Sequence, residues 1–372
     1  MNTKVAVFHT THNRIGGGEI LASYLGKALN CKVYTIGKSK LGFEDLSHLL
    51  PKPLRILQKV KSFGYLLWAS LNIQEIGDFD IILTSGDTPR AIVTPEYTMH
   101  VNYCHSPMRW LYDLWGYRMK MRPWWKNVVI DFVGEFLRVW DKSVDSRVDY
   151  YFVNSEIIQR RLWKYLKRDS VVLYPPIEWN KYKNSESEGY ILFLSRLEPE
   201  KRVIESIEAC IRAEKKIIVA GTGTLEKEIR EKYGNHPLVD IRGFVDEKEK
   251  IDLFAHCDAV IFPAVAEDFG IVTIESLASG KPVIVDDSGF PPILIRRTGH
   301  VESNGILKVF RGGIVAKSDV NILSTAVKLL NRYEWNSEFI RDFAKQFDFN
   351  IFKTNLQIQL TEWKKEFDSI TI

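Results

Sequence analysis

Short apolar runs alternate with amphipathic stretches along most of the chain. In the first half, the runs end in polar or turn residues and predict strands at 4–9, 32–36, 79–84, 99–104 and 150–153. The second half predicts strands at 190–195, 216–220, 238–241, 259–262, 282–286 and 312–315. Helical patterns fall at 19–29, 202–213, 225–233 and 247–257. Strands that alternate with helices of about ten residues are typical of βαβ units, so the pattern predicts an α/β protein with parallel sheets.

The boundary between two domains is predicted near the paired prolines that precede residue 177. A chain of 372 residues is too long for one ordinary core. We therefore predict a Rossmann-like domain at 1–176 and a second one at 190–345, joined by a polar linker at 177–189. Residues 346–372 are predicted to form a helical segment that packs back on the first domain. Ligands of such sheets bind at the carboxyl ends of the strands, so the loops there should carry the chemistry.

No stretch of about 18 residues is apolar and uncharged enough to predict a membrane-spanning helix. The first residues lead straight into a predicted strand, which argues against a signal peptide. The four cysteines are scattered without a C-x-x-C pair and are expected to be buried thiols, as in a reducing compartment. These features predict a cytoplasmic protein.

The net charge of +4 is unevenly distributed. Residues 1–176 contain 24 Lys and Arg against 16 Asp and Glu, a balance of +8, whereas the rest of the chain has 27 against 31. A basic first half favours an anionic partner such as a lipid surface, a phosphorylated acceptor or nucleic acid. Ordinary surface variation is an equal alternative.

Residues 109–140 combine tryptophans with cations, as membrane-interface segments, acceptor grooves and some domain cores do. The segment holds five of the ten tryptophans. Its members of interest are Trp110, Trp115, Trp124, Trp125 and Trp140, with Arg109, Arg118, Lys120, Arg122 and Lys126. A second basic, apolar stretch at 51–71 contains Lys52, Arg55, Lys59 and Lys61. The protein is therefore also expected to attach peripherally to the inner face of the membrane. The alternative is that the tryptophans fill the core of the first domain and the cations are solvated.

The most specific motif is PAVAEDFGIVTIESLASGKP at 263–282, directly after a predicted strand. It places Glu267 in the loop after that strand and Glu275 in a helix that begins near Gly270. Unsatisfied amides at a helix N-terminus attract phosphate, and a glycine there lets a ligand approach closely. Two carboxylates beside a phosphate site favour a ligand that also has hydroxyls, such as a sugar and a ribose. The alternative is a solvated helix face whose carboxylate stabilises the helix dipole.

The second motif, SRLEPEKR at 195–202, follows the strand predicted at 190–195. Arg196 and Lys201 can place two cations on one diphosphate, because a guanidinium binds it as a fork and an ammonium as a point charge. Surface ion pairing with Glu198 or Glu200 is the alternative. The occurrence of both motifs at the ends of strands favours a ligand site.

SRLEPEKR, the E-x7-E pattern of EDFGIVTIE, ASGKPVI and the glycine loop after the first strand together resemble the retaining glycosyltransferases of family four. The resemblance extends over essentially the whole chain. It implies the GT-B fold, with two tandem Rossmann-like domains and a donor and acceptor cleft between them. It also implies a nucleotide-sugar donor held at the diphosphate by Arg196 and Lys201, with Glu267 at the sugar hydroxyls and Glu275 at the ribose.

The same resemblance implies several backbone contacts. Amides around Phe269 and Gly270 would meet the phosphate and sugar, and the backbone at Phe244 and Val245 would meet the base. In the first domain, Gly16 and Gly17 would give the diphosphate a close approach. A dehydrogenase loop is not indicated there, since the G-x-G-x-x-G spacing and a following acid are missing.

His105 follows the strand predicted at 99–104. The resemblance places this histidine beside the reacting centre, where it orients the acceptor or supports developing charge, and a purely structural histidine is the alternative. The segment YCHSPMRWLYD, with EDFGI further along the chain, is most similar to mannosyltransferases of polysaccharide and lipid-linked oligosaccharide assembly.

The sequence departs from the family pattern at two places, the loop DSGFPP at 287–292 and Asp268. No D-x-D motif follows a strand in the first half, and no His/Cys cluster has metal-ligand spacing. We therefore expect Arg196, Lys201 and helix amides to stabilise the leaving diphosphate without a metal or other cofactor.

These features predict a retaining transferase that moves a hexose, with mannose favoured, from a GDP- or UDP-linked donor to a glycan or lipid-linked acceptor. A sugar-nucleotide epimerase or a phosphorylase on the same fold is an alternative, and a phosphorylase would use Lys201 or Lys281 for pyridoxal phosphate. A non-catalytic protein that binds an anionic ligand is another. Nucleic acid is not expected as a partner, because no nucleic-acid motif is present.

Overall fold

The computed structural model describes residues 3–10, 16–59, 63–113, 115, 124–303 and 305–370, without the side chains of 58–59, 124–130 and 132. Some cations and tryptophans of the two basic, apolar segments lie outside this description: Lys61, Arg118, Lys120 and Arg122, with the side chains of Lys59, Trp124, Trp125 and Lys126.

The strands are β1 Val5–His9, β2 Val33–Thr35, β3 Glu44–Asp45, β4 Ile81–Ser85, β5 Met99–Cys104, β6 Tyr150–Val153, β7 Val171–Val172, β8 Tyr190–Leu194, β9 Lys216–Ala220, β10 Val239–Gly243, β11 Ala259–Phe262, β12 Val283–Val285, β13 His300–Ser303, β14 Leu307–Phe310 and β15 Gly313–Ala316. The helices are α1 Gly17–Leu29, α2 Lys52–Arg55, α3 Gly64–Ala69, α4 Trp124–Asp145, α5 Glu156–Leu166, α6 Val203–Arg212, α7 Glu226–Tyr233, α8 Glu247–His256, α9 Ile271–Ala278, α10 Pro291–Arg296, α11 Val320–Leu329, α12 Ser337–Ala344 and α13 Phe349–Ile370.

The chain divides into two compact units. Unit 1 comprises Met1–Pro176 together with Asn350–Ile372, and unit 2 comprises Ile177–Phe349. The return of the C-terminal helix to unit 1 has a clear packing basis. Trp363 of α13 lies 4.9 Å from the ring of Tyr150 and 4.5 Å from that of Phe152, both on β6.

Unit 1 is built on a seven-stranded parallel sheet in the order β3-β2-β1-β4-β5-β6-β7. β4 and β5 are buried along their whole length, which explains why they appear in the sequence as continuous apolar runs. The strand order reverses between β1 and β4. In open α/β sheets the carboxyl ends of strands at such a reversal form the ligand-binding crevice.

A buried ionic network ties α4 to the turn after β4. The Arg90 guanidinium, 1% exposed, pairs with Asp141 and lies 3.4 Å from Asp145, both in the last turns of α4. Tyr65 and Tyr151 donate to the same carboxylates. Because buried charges require paired, hydrogen-bonded partners, this network holds the last turns of α4 against the turn after β4.

Unit 2 is built on an eight-stranded sheet in the order β10-β9-β8-β11-β12-β15-β14-β13. It is parallel from β10 to β15, and β14 and β13 are antiparallel. Here the order reverses between β8 and β11, which are the strands that precede the two motifs found in the sequence.

The segment at 177–189, predicted as a linker, belongs to unit 2. Ile177 and Tyr182 are buried, and Ile177 pairs with Asp348 across a parallel bridge. The Tyr182 hydroxyl donates to Glu275 at 2.7 Å. In the structure this polar, proline-preceded stretch contributes two buried side chains to the packing of unit 2.

The cysteines are not paired. Cys104, Cys210 and Cys257 are buried and Cys31 is half-buried, and all four thiols are free.

Strands β3, β7, β13 and β14 were not predicted, since the first two have two residues each and β13 is fully exposed. Within the described part of the chain, none of the helices has the length and apolar character required to span a bilayer.

Candidate functional site

The loop after β8 carries the two cations predicted to bind a diphosphate, and they have different environments. Arg196 is exposed. Lys201 ends a short 3-10 turn, its side chain is only 11% exposed, and its ammonium is paired with the Glu267 carboxylate. Lys201 is therefore enclosed, although it lies in the same loop as the exposed Arg196. The ammonium is drawn inward by the carboxylate and by the ring of Phe262, 5.6 Å away.

The loop after β11 presents Glu267 in a constrained backbone. Ala266, the residue before it, has a φ of 51°, in the left-handed region that side chains other than glycine seldom adopt. Gly270, which caps α9, has a φ of 76°. A Cβ on Gly270 would lie 2.8 Å from Pro291 Cγ and 3.3 Å from Glu267 Cγ, so no larger residue fits. Backbone strain that surrounding contacts maintain is frequent at functional sites.

The loop at 287–292, which departs from the family pattern, holds the Glu267 loop in place. Ser288 Oγ accepts from the Ala266 amide at 2.8 Å. Gly289 pairs with Glu267 across a parallel bridge, and the Phe290 amide donates to the Glu267 carbonyl at 2.9 Å. A Cβ on Gly289 would lie 2.5 Å from the Glu267 amide nitrogen. The departure from the usual pattern therefore has a positional role that the sequence did not reveal.

The buried carboxylate of Asp286 holds this loop in place. Its carboxylate accepts from the amide of Ser288 at 3.0 Å and from that of Ser318 at 3.0 Å, and from both hydroxyls. Asp286 is 5% exposed, so these donors replace the water that its charge would otherwise require. Sequence reasoning missed Asp286 and Ser318 because they are 32 residues apart and share no local motif.

Glu275 is buried inside α9 rather than on a solvated helix face. Its Oε1 accepts from Tyr182 at 2.7 Å and from the Lys250 ammonium at 2.8 Å. Burial opposes the charge of Lys250, but Glu275 and Glu247 outweigh it and raise the pKa of this ammonium. Tyr182 and Lys250 fix one carboxylate oxygen of Glu275, and neither residue was identified from the sequence.

Three other predicted residues lie at the same strand ends of unit 2. Phe244, just after β10, is 80% exposed and Val245 is half-buried. The ring of Phe269 stacks on Phe290 with centroids 5.5 Å apart, so its side chain is part of the packing. The predicted contribution of Phe269 is therefore restricted to its backbone at the start of α9.

In unit 1 the glycine loop and His105 lie at the ends of β1, β4 and β5. Gly16 caps α1, and its amide donates to Glu19 Oε2 at 2.9 Å. Among the described residues, apart from its chain neighbours and the backbone of its own helix, no atom lies within 4 Å of a Cβ built on Gly17. His105 Nε2 lies 2.9 Å from Ser85 Oγ. The predicted residues of unit 1 are thus brought together around the first turn of α1.

Lys281, one of the two lysines considered for pyridoxal phosphate, is 6% exposed and donates to the Ser185 carbonyl at 2.9 Å. Burial lowers the pKa of this ammonium. Among the described residues, no three His, Cys, Asp or Glu side chains are arranged to hold a metal ion. Metal independence stays a prediction.

Two Rossmann-like units with polar loops at the carboxyl ends of parallel strands define the GT-B class of fold, and solved GT-B glycosyltransferases are similar over nearly the whole chain. Anabaena Alr3699/HepE in complex with UDP-glucose superposes with a TM-score of 0.67, covering 96% of this chain and 100% of that one at 18% identity. Sucrose-phosphate synthase from Thermosynechococcus elongatus gives a TM-score of 0.64, with 97% and 99% covered at 14% identity. At these identities the likeness establishes the fold alone.

The match to a family model lies within unit 2. Residues 177–316 match the family model described as Glycosyl transferases group 1. An uncharacterized glycosyltransferase of Methanocaldococcus jannaschii is 32% identical over 128 residues, which cover 32% of each chain. A GDP-mannose-dependent alpha-(1-6)-phosphatidylinositol dimannoside mannosyltransferase of Mycobacterium tuberculosis is 30% identical over 121 residues, covering 31% of this chain and 32% of that protein. The chain thus matches about a third of the length of these two relatives.

Proposed function

We propose that the protein is a glycosyltransferase that uses a nucleotide-sugar donor. The observation that carries this proposal is the Lys201–Glu267 pair beside the exposed Arg196, at the carboxyl ends of β8 and β11. These two strands flank the reversal of strand order in unit 2, where ligands of parallel sheets bind. A ligand with both negative charge and hydroxyls suits this combination of cations and carboxylate.

The cations are proposed to bind the donor diphosphate. Arg196 can reach it from the exposed loop, while Lys201 stands between the phosphate and Glu267. The backbone amides that open α9 at Phe269 and Gly270 add partial positive charge. When the bond to the sugar breaks, negative charge accumulates on the diphosphate, and donors already in place stabilise it without reorganisation.

Glu275 and the end of β10 are proposed to bind the nucleoside. Tyr182 and Lys250 hold Glu275 Oε1, which orients the carboxylate to accept hydrogen bonds from the ribose hydroxyls. The exposed ring of Phe244 offers an apolar surface to the base. The adjacent backbone at Val245 offers the base a hydrogen-bond donor and an acceptor. These contacts suit a purine or a pyrimidine.

The donor is proposed to be a GDP- or UDP-linked hexose, with mannose favoured. The resemblance of the segment YCHSPMRWLYD to mannosyltransferases supports mannose. The GDP-mannose dependence named for the relative in Mycobacterium tuberculosis also supports it. The UDP-glucose complex of Alr3699/HepE supports a UDP-linked sugar instead.

Transfer is proposed to proceed with retention at the anomeric carbon and without a metal ion. The bond from the anomeric carbon to the diphosphate oxygen breaks, and a bond to the acceptor oxygen forms on the same face. The acceptor proton passes to the departing phosphate oxygen. Glu267 holds the sugar hydroxyls, and His105 is proposed to hydrogen-bond the reacting groups. Much of the rate gain would then be positional.

The acceptor is proposed to be a glycan or a lipid-linked saccharide reached at a membrane surface. On α4, Val133, Phe136 and Val139 are 45%, 64% and 68% exposed, and their spacing places them on one helix face. This apolar face belongs to the basic half of the chain, a combination that suits an anionic lipid surface. Co-sedimentation with anionic but not neutral liposomes, weakened by salt, is the expected result. Absence of binding under all conditions would leave a soluble acceptor.

A donor panel tests the central proposal. GDP-mannose, UDP-glucose, the free nucleoside diphosphates and a nicotinamide dinucleotide are compared for the rise in unfolding temperature of the purified protein, since a bound ligand stabilises by mass action. One sugar nucleotide is expected to stabilise the protein and to be consumed when a saccharide acceptor is added. Stabilisation by none of the sugar nucleotides would contradict the proposal.

A further inference from the structure

A row of polar side chains in unit 1 leads to His105. Ser85, at the end of β4, has its Oγ 2.9 Å from His105 Nε2 and 3.1 Å from His9 Nδ1. His9, at the end of β1, has its Nε2 3.8 Å from Glu19 Oε1. His9 and Ser85 are 2% and 0% exposed, and Glu19 is 8% exposed. The Ser85 hydroxyl lies within hydrogen-bond distance of both rings, whereas His9 Nε2 and Glu19 Oε1 are too far apart for a hydrogen bond and interact electrostatically.

The single proton of the Ser85 hydroxyl limits how the two imidazoles can be protonated. Ser85 donates to one ring and accepts from the other. If it donates to His9 Nδ1, the proton of a neutral His9 lies on Nε2, facing the Glu19 carboxylate, and His105 is protonated on Nε2. If Ser85 instead donates to His105 Nε2, it accepts a hydrogen bond from His9 Nδ1. A neutral His9 then turns the lone pair of Nε2 towards the Glu19 carboxylate. Otherwise His9 must carry a second proton.

The position of α1 disfavours a second proton on His9. A Cβ on Gly18 would lie 3.6 Å from His9 Cε1 and 3.7 Å from His105 Nε2, so both rings lie against the first turn of this helix. The positive end of the helix dipole raises the free energy of an imidazolium there. Glu19 also has another partner for its charge, since its Oε2 accepts from the Gly16 amide at the same helix end.

We propose that Glu19, His9 and Ser85 form a relay that holds His105 as the neutral tautomer protonated on Nε2. Nδ1 of His105 then carries no proton and can only accept a hydrogen bond. Asn154 donates to the His105 carbonyl at 3.0 Å and fixes the main chain of the residue that carries the ring. The three relay members are positioning residues. Only the catalytic use of the tautomer rests on the proposed transferase function.

The tautomer is measured by long-range proton–nitrogen NMR on the histidine rings of the whole protein. The chain contains eight histidines, so the signals are assigned with His9→Gln and His105→Gln. We expect both His9 and His105 to be protonated on Nε2 and to show an unprotonated Nδ1 at neutral pH. A wild-type His105 protonated on Nδ1, or an even mixture of tautomers, overturns the relay.

Ser85→Ala tests whether the bridge sets the tautomer. Ser70→Ala is the matched control, since its hydroxyl in the same unit donates to the Leu67 carbonyl instead. The Nε2–H preference of His105 should be lost in Ser85→Ala and kept in the control, and kcat/KM should fall on the order of tenfold only in Ser85→Ala. An unchanged tautomer in a folded Ser85→Ala overturns the proposal, and the wild-type spectrum decides alone if this variant does not fold. An Nε2–H tautomer without sugar transfer would leave the relay standing and contradict the transferase function.

Discussion

The two units use charge in different places. Unit 1 buries its ionic network, Arg90 with Asp141 and Asp145, where it ties α4 to the turn after β4, and gathers His9, Ser85 and His105 at its strand ends. Unit 2 pairs Lys201 with Glu267 in the loops after β8 and β11, and pairs Lys250 of α8 with Glu275 of α9.

We infer from this contrast that the Arg90 network supports the fold and that the Lys201–Glu267 pair binds a ligand. Breaking a buried pair leaves an unpaired charge in the core. A pair at the strand ends can exchange partners when an anion arrives. We therefore expect substitutions in the Arg90 network to lower stability and those at Lys201, Glu267 and Glu275 to lower ligand binding or transfer.

The largest effect is expected for Arg90→Met. It leaves Asp141 and Asp145 without their guanidinium partner, and such a loss destabilises a protein by about 3–5 kcal/mol. Hydrogen exchange of the β5 amides measures the opening of unit 1. Arg230→Met is the control, because Arg230 pairs with Glu226 on an exposed helix surface and its loss should cost less than about 1 kcal/mol. Equal effects of the two substitutions would remove the distinction between the units.

A pH effect of about 3 kcal/mol is expected from His100, also in unit 1. Burial lowers the pKa of His100 from 6.5 to about 4, although the enclosed ring is hydrogen-bonded to the Thr84 hydroxyl and to the Arg147 carbonyl. The folded protein keeps His100 neutral while the unfolded chain binds a proton below pH 6.5. Stability is therefore full above about pH 6.5 and falls as the pH approaches about 4.

Denaturation across this pH range measures the slope. His100→Gln should flatten it, whereas substitution of the exposed His48 by Gln should leave it as in the wild type. A slope that is the same in all three proteins would show that His100 does not set it.

In unit 2, Lys201→Ala should weaken donor binding by about 2–3 kcal/mol, or roughly 30- to 150-fold, because one charge-assisted contact to the diphosphate is lost. Arg196→Ala should have an effect of the same order with less change in stability, since Arg196 is exposed. Lys215→Ala removes a comparable ion pair, with Asp258, away from the loop and serves as the control. Titration calorimetry with the donor is the measurement, and wild-type affinity in both site variants would contradict the assignment.

The two carboxylates of unit 2 should differ in kind. Glu275→Gln should weaken binding of the free nucleoside diphosphate, because its proposed partner is the ribose. Glu267→Gln should leave that binding nearly intact and lower transfer, because its proposed partner is the sugar. Equilibrium binding and turnover are measured on both variants, and the opposite pattern would exchange their roles.

The smallest effect is expected from chelation. Activity should be unchanged in EDTA, since side chains and helix amides meet the leaving charge. Loss of activity that Mg²⁺ or Mn²⁺ restores would show that unit 2 needs a cation besides Lys201 and Arg196.

The same contrast explains which site residues the sequence could reveal. Arg196 with Lys201, and Glu267 with Glu275, lie within short motifs, so chemistry and spacing are visible together. Tyr182 and Lys250 are 93 and 25 positions away from Glu275, which they hold, and Asp286 is 32 positions away from Ser318. In unit 1, only His105 and the glycines were visible, because His9 and Ser85 end two apolar strands and look like ordinary strand residues.

The sequence by itself determined the elements and their class. Apolar runs of strand length between amphipathic helices predict parallel βαβ units, and the strands at 99–104, 150–153, 216–220 and 259–262 agree with the structure to the residue. Local spacing carries this information, since burial on both faces requires continuous apolar strands. It also determined the two motifs, because their residues are neighbours in the chain.

The tertiary structure alone decided how those residues are held. It placed 177–189 in unit 2, brought the 287–292 loop against Glu267, enclosed Lys201, and joined Glu19, His9 and Ser85 to His105. Each of these contacts joins segments that are far apart in sequence or that depend on burial. Strand order decides which loops meet, and a local pattern of side chains does not specify that order.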